Sequence, residues 1–461
     1  MSGTWQTIKD ALRGSHHDYT TEVLGRAIIL LAIPMVIEMA MESIFAVVDV
    51  YFVAHLGASA IATVGLTESY LAIVYTLAMG LGIGVTATVA RRTGEGDHDG
   101  AAHSAAQGIW LAFVFSIILG VVGAIWAPDL LRLMGAGEDV IGVGTRYARI
   151  MLGGNVVVLL LFVINAAFRG VGDAAIAMRA LVIGNGINII LNPCLILGLG
   201  PFPALGVTGS AVATMIGRGS GVLYQFWALR RATGRLAIKP HHARPDLPLM
   251  GRMLKMSGTG MLQGFVMTAS WIGLIRVLAS FGTDAVAAYQ IAIRVMLFFL
   301  LPSFGLANAA ATLVGQNLGA GKPERSEAAA WKAGQLNALF LGIVAMFFVG
   351  FSGTIVGWFT DDAAVRVIAD PALATICLGF PFYAYGMVLS NSFNGAGDTW
   401  TPTALNFVCF WVIEIPLAWY LSKVLGWGPQ GGFAAITIAF SCLAIFAVPL
   451  FKRGRWKLQK V

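Results

Sequence analysis

The apolar stretch AIILLAIPMVIEMAMESIFAVVDVYFV, residues 27–53, contains three carboxylates, Glu38, Glu42 and Asp49. The stretch is long enough to cross a bilayer as one helix. At about 100° per residue, steps of four and eleven residues place the three carboxylates within about 40° of one another, and we call them the acidic stripe. An ionised group in hydrocarbon costs at least about 2.5 kcal/mol on insertion scales. The stripe is therefore predicted to face a polar cavity and to handle ions or protons.

The composition is that of a polytopic membrane protein. Of the 461 residues, 57% are hydrophobic and 11% are charged, whereas about 25% are charged in an ordinary soluble domain. Apolar runs longer than about 18 residues recur along the whole chain, which predicts an all-α fold of about twelve transmembrane helices. The predicted spans are 27–53, 61–90, 102–126, 141–165, 175–199, 203–229, 250–280, 286–316, 327–352, 363–392, 400–425 and 432–451.

The basic residues outside these spans lie mainly on one side of the predicted membrane. Only Arg132 and Lys423 fall on the side opposite the termini. The positive-inside rule therefore predicts that both termini are cytoplasmic, and it explains the net charge of +7 without a nucleic-acid partner. Residues 1–26 lack the apolar core of a cleavable signal peptide. The compact loops favour a multi-pass protein of a prokaryotic plasma (inner) membrane.

The chain consists of two matching halves. A shift of 225 residues places FRGVGD, Phe168–Asp173, on FNGAGD, Phe393–Asp398. Six helices per half is an even number, so the halves share one membrane orientation and suit alternating access about a central site. We predict a cytoplasmic N-terminus at 1–26, an N-lobe at 27–229, a cytoplasmic linker at 230–249, a C-lobe at 250–451 and a basic cytoplasmic tail at 452–461.

Signatures of soluble enzymes occur only in the wrong context. Gly82–Ala87 imitates a dinucleotide fingerprint but lies inside an apolar helix, and Gly321-Lys322 is followed by Pro323 rather than by Ser or Thr. The four cysteines all lie in predicted spans without a CxxC pair, and the histidines lie in termini, loops or helix ends. The sequence therefore predicts no enzyme activity, no cofactor and no metal site.

The acidic stripe also has a purely structural interpretation. Buried acids can be neutralised by protonation or by intramembrane arginines, and Arg218, Arg276 and Arg294 are candidates. Pro34 frees the carbonyl of Leu30, so the helix can bend just before the stripe, which favours a switch.

Other intramembrane polar residues of the first half are candidates for the same pocket. They are Tyr147, Asn165, Asn188, Asn192 and Ser210. The stripe is not repeated in the second half, where Gln263 stands at the repeat position of Glu38 and Leu274 at that of Asp49. The two halves have therefore diverged in chemistry.

Taken together, these segments resemble the multidrug and toxic compound extrusion (MATE) family over nearly the whole chain. The segments that carry the resemblance are Pro34 to Asp49, Leu56 to Gly65, Arg169 to Asp173, Asn188 to Pro193 and Asn394 to Asp398. It implies a V-shaped pair of six-helix lobes that exports organic, often cationic compounds in exchange for protons or sodium. Met267 and Tyr383 stand about where some sodium-coupled relatives have C-lobe acids, so the chain resembles the prokaryotic N-lobe-coupled (DinF-like) branch.

The resemblance also implies roles for individual residues. Asp49 is similar to an aspartate of the first helix that takes part in cation coupling, with Glu42 and Glu38 beside it, and Pro34 is similar to a hinge proline. Three residues resemble members of a polar N-lobe network, and they are Tyr147, Asn165 and Asn188. The chain departs from the family pattern at Asn192, where many members have a second acid, at Glu42, where glutamine is common, and at Ser210, where threonine can occur. The coupling charge is therefore expected to have moved toward the first helix.

These observations favour a secondary antiporter that exports small organic cations or amphipathic drugs in exchange for H⁺ or Na⁺. It would act as a monomer in the lipid membrane. The alternative is a flippase or exporter of lipid-linked or anionic molecules with the same fold, but the acidic stripe argues for cationic cargo. A channel or a membrane-bound enzyme is a third hypothesis, which no filter-like loop or nucleophile–base pair in the sequence supports.

Overall fold

The computed structural model describes residues 2–14, 17–231 and 235–459. Residues 232–234 of the predicted linker and residues 460–461 of the predicted tail lie outside the described residues. In the described ranges the regular elements are helices. The long ones are α1 (Ser2–Arg13), α2 (Leu24–Ala54), α3 (Ala58–Gly94), α4 (His98–Leu133), α5 (Glu138–Gly153), α6 (Val156–Val171), α7 (Ala174–Leu197), α8 (Val207–Arg230), α9 (Leu247–Ala279), α10 (Thr283–Gly319), α11 (Pro323–Gly357), α12 (Ala363–Leu378), α13 (Phe380–Ala396), α14 (Trp400–Val424) and α15 (Pro429–Lys452).

The predicted all-α membrane fold is confirmed. Within the described residues, 10 helices are long and apolar enough to cross a membrane, with α5 and α6 together forming one of them. If the pair α12 and α13, which is bent by 52°, is counted as one further span, the number of spans rises to 11. The remaining predicted span, 203–229, corresponds to α8, which buries polar side chains such as Ser210, Thr214 and Arg218 and is less apolar for that reason.

Helix α2 belongs to both halves of the molecule. Its first part, from Ala27 to Met35, is buried in the same hydrophobic cluster as the C-lobe helices, whereas Val53 near its other end belongs to the N-lobe cluster. The acidic stripe lies between these two ends. The predicted N-lobe boundary at residue 27 therefore cuts through a helix whose packing is shared by both lobes.

The lobes are joined at the end that carries the chain termini. Gln316 Nε2 donates a hydrogen bond to the Gly170 carbonyl at 2.8 Å, and Thr312 Oγ1 donates to the Arg169 carbonyl at 3.1 Å. Helices α3 and α10 approach so closely that a Cβ on Gly94 would lie 1.9 Å from the Gln316 carbonyl oxygen. In the described part of the chain, the side-chain hydrogen bonds that link the halves all lie at this end. This end of the central cleft is closed.

The segment between α1 and α2 reinforces this closure. Tyr19 is buried, and its hydroxyl donates a hydrogen bond to the Gly172 carbonyl at 3.1 Å. Burial raises the pKa of Tyr19 to about 12, so the phenol keeps the proton that it donates. Arg325 of the second half in turn donates to the carbonyls of Tyr19 and Glu22.

The two FxGxGD segments have the same local geometry. Gly172 and Gly397 end α6 and α13 with φ values of 86° and 89°, a left-handed conformation that glycine adopts without strain. The following aspartate donates its N–H to the phenylalanine carbonyl five residues earlier, at 2.8 Å and 2.9 Å. Both segments therefore make the same tight helix end, as expected of an internal repeat.

Candidate functional site

Asp49 lies at the centre of a polar contact among α2, α7 and α8. Its Oδ1 accepts hydrogen bonds from Asn192 Nδ2 at 3.0 Å and from Ser210 Oγ at 2.6 Å. The residue is 7% exposed, and no Lys or Arg among the described residues lies within ion-pair distance of its carboxylate. The structure thus brings together Asp49 and two of the three positions at which the sequence departs from the family pattern, Asn192 and Ser210.

A second acid and a tyrosine face Asp49 from other helices. Glu68 on α3 and Tyr147 on α5 both lie within electrostatic range of the Asp49 carboxylate. Tyr147 is 2% exposed, whereas Glu68 retains exposed surface. Sequence reasoning gave Glu68 no role, because a residue near the start of a span carries no signal of what it faces across a cleft.

Glu42 forms an ion pair with Arg218 of α8. Glu42 Oε2 and Arg218 Nη2 are 3.2 Å apart, and the Arg218 side chain is 2% exposed. The guanidinium lies over the rings of Phe45 and Tyr75, at 4.9 Å and 5.7 Å from their centroids, a cation–π arrangement. Of the three arginines proposed as neutralising partners, Arg218 is thus the one that pairs with the stripe. Arg276 and Arg294 are exposed on the second half.

Glu38 forms the other ion pair of the stripe. Its Oε1 accepts from Arg169 Nη1 and from Asn165 Nδ2, each at 3.0 Å. Asn165 Oδ1 accepts in turn from Gln225 Nε2 at 2.6 Å. Arg169 lies outside the predicted spans, at the end of α6, and its long side chain reaches back to the buried carboxylate.

The Glu38 contact has an exact counterpart in the C-lobe. Asn394 Nδ2 donates to Gln263 Oε1 at 3.3 Å, and these residues stand 225 positions after Arg169 and Glu38. Both halves therefore link their first helix to the FxGxGD segment with a polar side-chain pair, one charged and one neutral. The shared contact favours a structural part for Glu38 in holding α2 against α6.

The remaining predicted residues are divided among these contacts. Asn188 Nδ2 donates to Thr214 Oγ1 at 3.1 Å rather than to an acid of the stripe. Thr214 and Gln225 are polar partners that sequence reasoning missed, because single polar residues on α8 carry no periodic signal. Helix α2 continues unbroken through Pro34. A hinge at Pro34 stays a prediction.

The charges of the stripe therefore divide unequally. Glu38 is paired with Arg169 and Glu42 with Arg218, whereas Asp49 is held only by neutral donors. A cation or a proton is the partner that would balance a buried carboxylate of this kind. Asp49 is the member of the stripe best placed to bind one.

Transplanting the C-lobe pair into the N-lobe tests the structural role of Glu38. We expect Glu38→Gln and Arg169→Asn each to destabilise the protein by about 3 kcal/mol, because each leaves one buried charge unpaired. The double variant reproduces the Gln263–Asn394 pair and should recover to within about 1 kcal/mol of wild type, the worth of one neutral hydrogen bond. Thermal unfolding of the purified protein measures the stability. An export assay with the double variant is the control, and loss of pH-driven export in a stable double variant would assign Glu38 to coupling instead.

A group of potential metal ligands lies away from the stripe, at the N-terminal end of α4. Asp99, His241 and His242 have potential ligand atoms within 4.8 Å of one another. His242 Nδ1 accepts the Lys239 N–H at 3.0 Å, so the proton of the neutral ring is on Nε2, which lies 2.8 Å from Asp99 Oδ1. Because that nitrogen donates to Asp99, it offers no lone pair to a metal, and the group serves to hold the linker on α4.

A two-lobed, all-helical membrane protein with a buried and partly neutralised acidic stripe belongs to the class of polytopic transporters. The MatE family model matches residues 34–194 and 261–420, more than half of the chain and one segment in each half. The chain belongs to the MatE family, whose members are transporters and not enzymes.

Similar proteins cover nearly the whole chain. It is 26% identical to the probable multidrug resistance protein YoeA of Bacillus subtilis, over 95% of this chain and 95% of that protein. It is 25% identical to the probable multidrug resistance protein NorM of Thermotoga maritima, over 95% and 94%. Its fold matches the outward-facing conformation of a multidrug resistance MATE family transporter with a TM-score of 0.88 and 26% identity, covering 95% of this chain and 97% of that one.

Proposed function

We propose that the protein is a secondary antiporter that exports small organic cations or amphipathic drugs in exchange for H⁺ or Na⁺. The observation that carries this proposal is the environment of Asp49, a buried carboxylate with two neutral donors and, among the described residues, no Lys or Arg within ion-pair distance. The names of the similar proteins, which refer to multidrug resistance, support the substrate class. The protein acts as a monomer of the plasma (inner) membrane with both termini in the cytoplasm.

The exchange depends on two arrangements of the lobes. With cytoplasmic termini, the closed end of the cleft faces the cytoplasm, so the described arrangement is the outward-facing one. Asp49 then takes up a proton or Na⁺ from the outside, where the partly exposed Glu68 adds negative charge near it. A bound ion or substrate favours one lobe arrangement only if it binds that arrangement more tightly than the other. This difference in affinity couples ion binding to substrate transport. Residues 27–229 and 250–451 are the rocking units, with residues 230–249 as their linker.

The order of events follows from competition at one carboxylate. An organic cation binds best near Asp49 when the carboxylate is ionised. A proton on Asp49 removes the charge that attracts the cation, so the proton and the organic cation compete. Proton uptake from outside therefore expels the substrate, and proton loss to the cytoplasm restores the site. The N-lobe-coupled (DinF-like) branch uses coupling of this kind, as the resemblance implies.

Export from proteoliposomes under separately imposed pH and Na⁺ gradients tests this function. We expect a fluorescent organic cation such as ethidium to be transported against its gradient when one of the two ion gradients is imposed, and not when both are absent. An anionic dye of similar size is the control substrate. Transport of the anionic dye or of a lipid-linked probe without any response to either gradient would identify the flippase alternative.

A further inference from the structure

The C-lobe contains a buried acid that the proposed function does not use. Glu414 on α14 is 1% exposed, and its Oε2 has no hydrogen-bond partner. Among the described residues, no side chain forms an ion pair with it and no charged side chain lies within electrostatic range of it. It is thus unlike Glu38 and Glu42, each of which has an arginine, and unlike Asp49, which has two neutral donors.

The helix around Glu414 is irregular. Residues Phe407–Glu414 and Tyr420–Val424 of α14 are π-helical, a rare form that occurs mostly as single turns within α-helices and is frequent at functional sites. Pro416, two residues after Glu414, has no N–H to donate to the preceding turn. The missing N–H leaves a carbonyl oxygen of the preceding turn, that of Val412 in α-helical or Trp411 in π-helical bonding, without its helical donor, which is tolerated in a membrane only where protein surrounds it.

The groups around Glu414 are polar but uncharged. Tyr289 on α10, Tyr383 on α13 and Cys409 on α14 lie within electrostatic range of its carboxyl group, and Cys442 on α15 lies near Cys409. The hydroxyls of Tyr289 and Tyr383 are buried, and neither has a partner at ordinary hydrogen-bond distance and angle among the described residues. Arg276 on α9, the helix that packs against this stretch, is exposed and makes no ion pair with Glu414. The surroundings supply hydrogen-bonding groups without a counter-charge.

An ionised carboxylate in this position would pay a large desolvation penalty. The effective cost of burying one ion is several kcal/mol, and it is recovered only by a well-placed opposite charge, which is missing here among the described residues. A neutral carboxylic acid avoids this desolvation cost. Its O–H group can also donate a hydrogen bond to a nearby oxygen that lacks a donor. The proton on Glu414 comes from water and returns to water. Its exchange therefore requires the C-lobe to open around Glu414.

We infer that Glu414 is a second proton-binding site, located in the C-lobe and distinct from the acidic stripe of the N-lobe. In the outward-facing arrangement its side chain is a neutral acid shielded by Tyr289 and Tyr383, and it releases its proton when the lobes rearrange. Its part in coupling rests on the proposed antiport. A cycle in which both Asp49 and Glu414 release their protons transports two protons, one from each lobe. The presence of the proton on Glu414 does not depend on antiport.

Infrared difference spectroscopy of the purified full-length protein tests the presence of the proton. The wild type at neutral pH should show a protonated-carboxyl band that shifts in D₂O, is missing from Glu414→Gln and is retained in Asp49→Asn. Glu324→Gln, which replaces an exposed acid at the start of α11, is the matched control and should keep the band. A spectrum of Glu414→Gln that keeps the whole band would overturn the assignment, because Glu414 would then be ionised. Thermal unfolding of Glu414→Gln should match wild type, since the amide is neutral and of the same shape.

Transport by Glu414→Gln tests the part in coupling. At zero membrane potential each coupled proton contributes about a factor of ten in substrate accumulation per imposed pH unit. We therefore expect accumulation by Glu414→Gln to fall about tenfold per pH unit relative to wild type, with downhill transport retained. Equal accumulation in the two proteins would remove Glu414 from coupling. If wild type itself shows no pH-driven accumulation, the proposed antiport fails, and the infrared result still decides whether Glu414 holds a proton.

Discussion

Replacing Asp49 by asparagine is expected to abolish ion-driven export while leaving the folded protein intact. Asparagine keeps the size of the side chain and can still accept hydrogen bonds from Asn192 and Ser210, but it carries no charge for a proton or cation. An amide side chain takes up no proton in the physiological pH range and offers Na⁺ no negative charge, so we expect ion-driven export to fall to the background seen with protein-free liposomes. Initial rates of dye export under an imposed pH or Na⁺ gradient measure it.

Two matched variants sharpen this experiment. Asp361→Asn removes an exposed acid from the loop after α11 and should export as wild type does. Asn192→Asp restores a second acid beside Asp49, as in many members of the family according to the resemblance, and should retain ion-driven export. Wild-type export by Asp49→Asn would contradict the assignment of Asp49 and would direct attention to Glu68 and Glu414.

Removing Arg218 is expected to be the most destabilising single change in the N-lobe. Arg218→Met leaves Glu42, whose side chain is 18% exposed, without its partner. Breaking a fully buried ion pair costs about 3–5 kcal/mol, so we expect a loss toward the lower end of that range. The apparent melting temperature of the purified protein should fall accordingly. Arg276→Met, which removes an exposed arginine from α9, is the control and should leave it unchanged.

The double variant Arg218→Met with Glu42→Gln separates pairing from coupling. It removes both charges and places glutamine at position 42, which is common in the family according to the resemblance. We expect it to recover most of the stability, since a coupling energy of about 0.5–3 kcal/mol is usual for residues in direct contact. Retained pH-driven export would show that Glu42 serves to balance Arg218. Loss of export in a stable double variant would make Glu42 a coupling residue beside Asp49.

The acidic stripe shows how far a pattern along the chain can reach. Helical periodicity correctly placed Glu38, Glu42 and Asp49 inside one long helix, and their cost in hydrocarbon correctly pointed to polar partners. Periodicity treats the three as equal, however. The structure gives two of them an arginine and the third only Asn192 and Ser210, because partners on α6, α7 and α8 are fixed by packing between distant segments.

Arg169 also shows that a sequence pattern does not reveal the distant partner of a side chain. Its position beside the glycines of FRGVGD marks a helix end, and the repeat marks Asn394 as its equivalent. Neither observation reveals that both side chains reach back to the first helix of their lobe, since the length and direction of a side chain do not appear in a one-dimensional pattern. Glu414 is the extreme case, because a lone acid in an apolar span has no informative neighbour in sequence.

The sequence by itself determined the membrane-spanning helices and the internal repeat, because these depend on apolar length and on similarity between the two halves. It also determined the family, through motifs that recur in both halves. Only the tertiary structure decided that α2 packs in both lobes and that Arg169 and Arg218 neutralise two acids. It alone showed that Asp49 and Glu414 have no basic partner among the described residues. The physical reason is that the energy of a buried charge depends on groups within a few ångströms, and those groups come from helices more than a hundred residues apart in the chain.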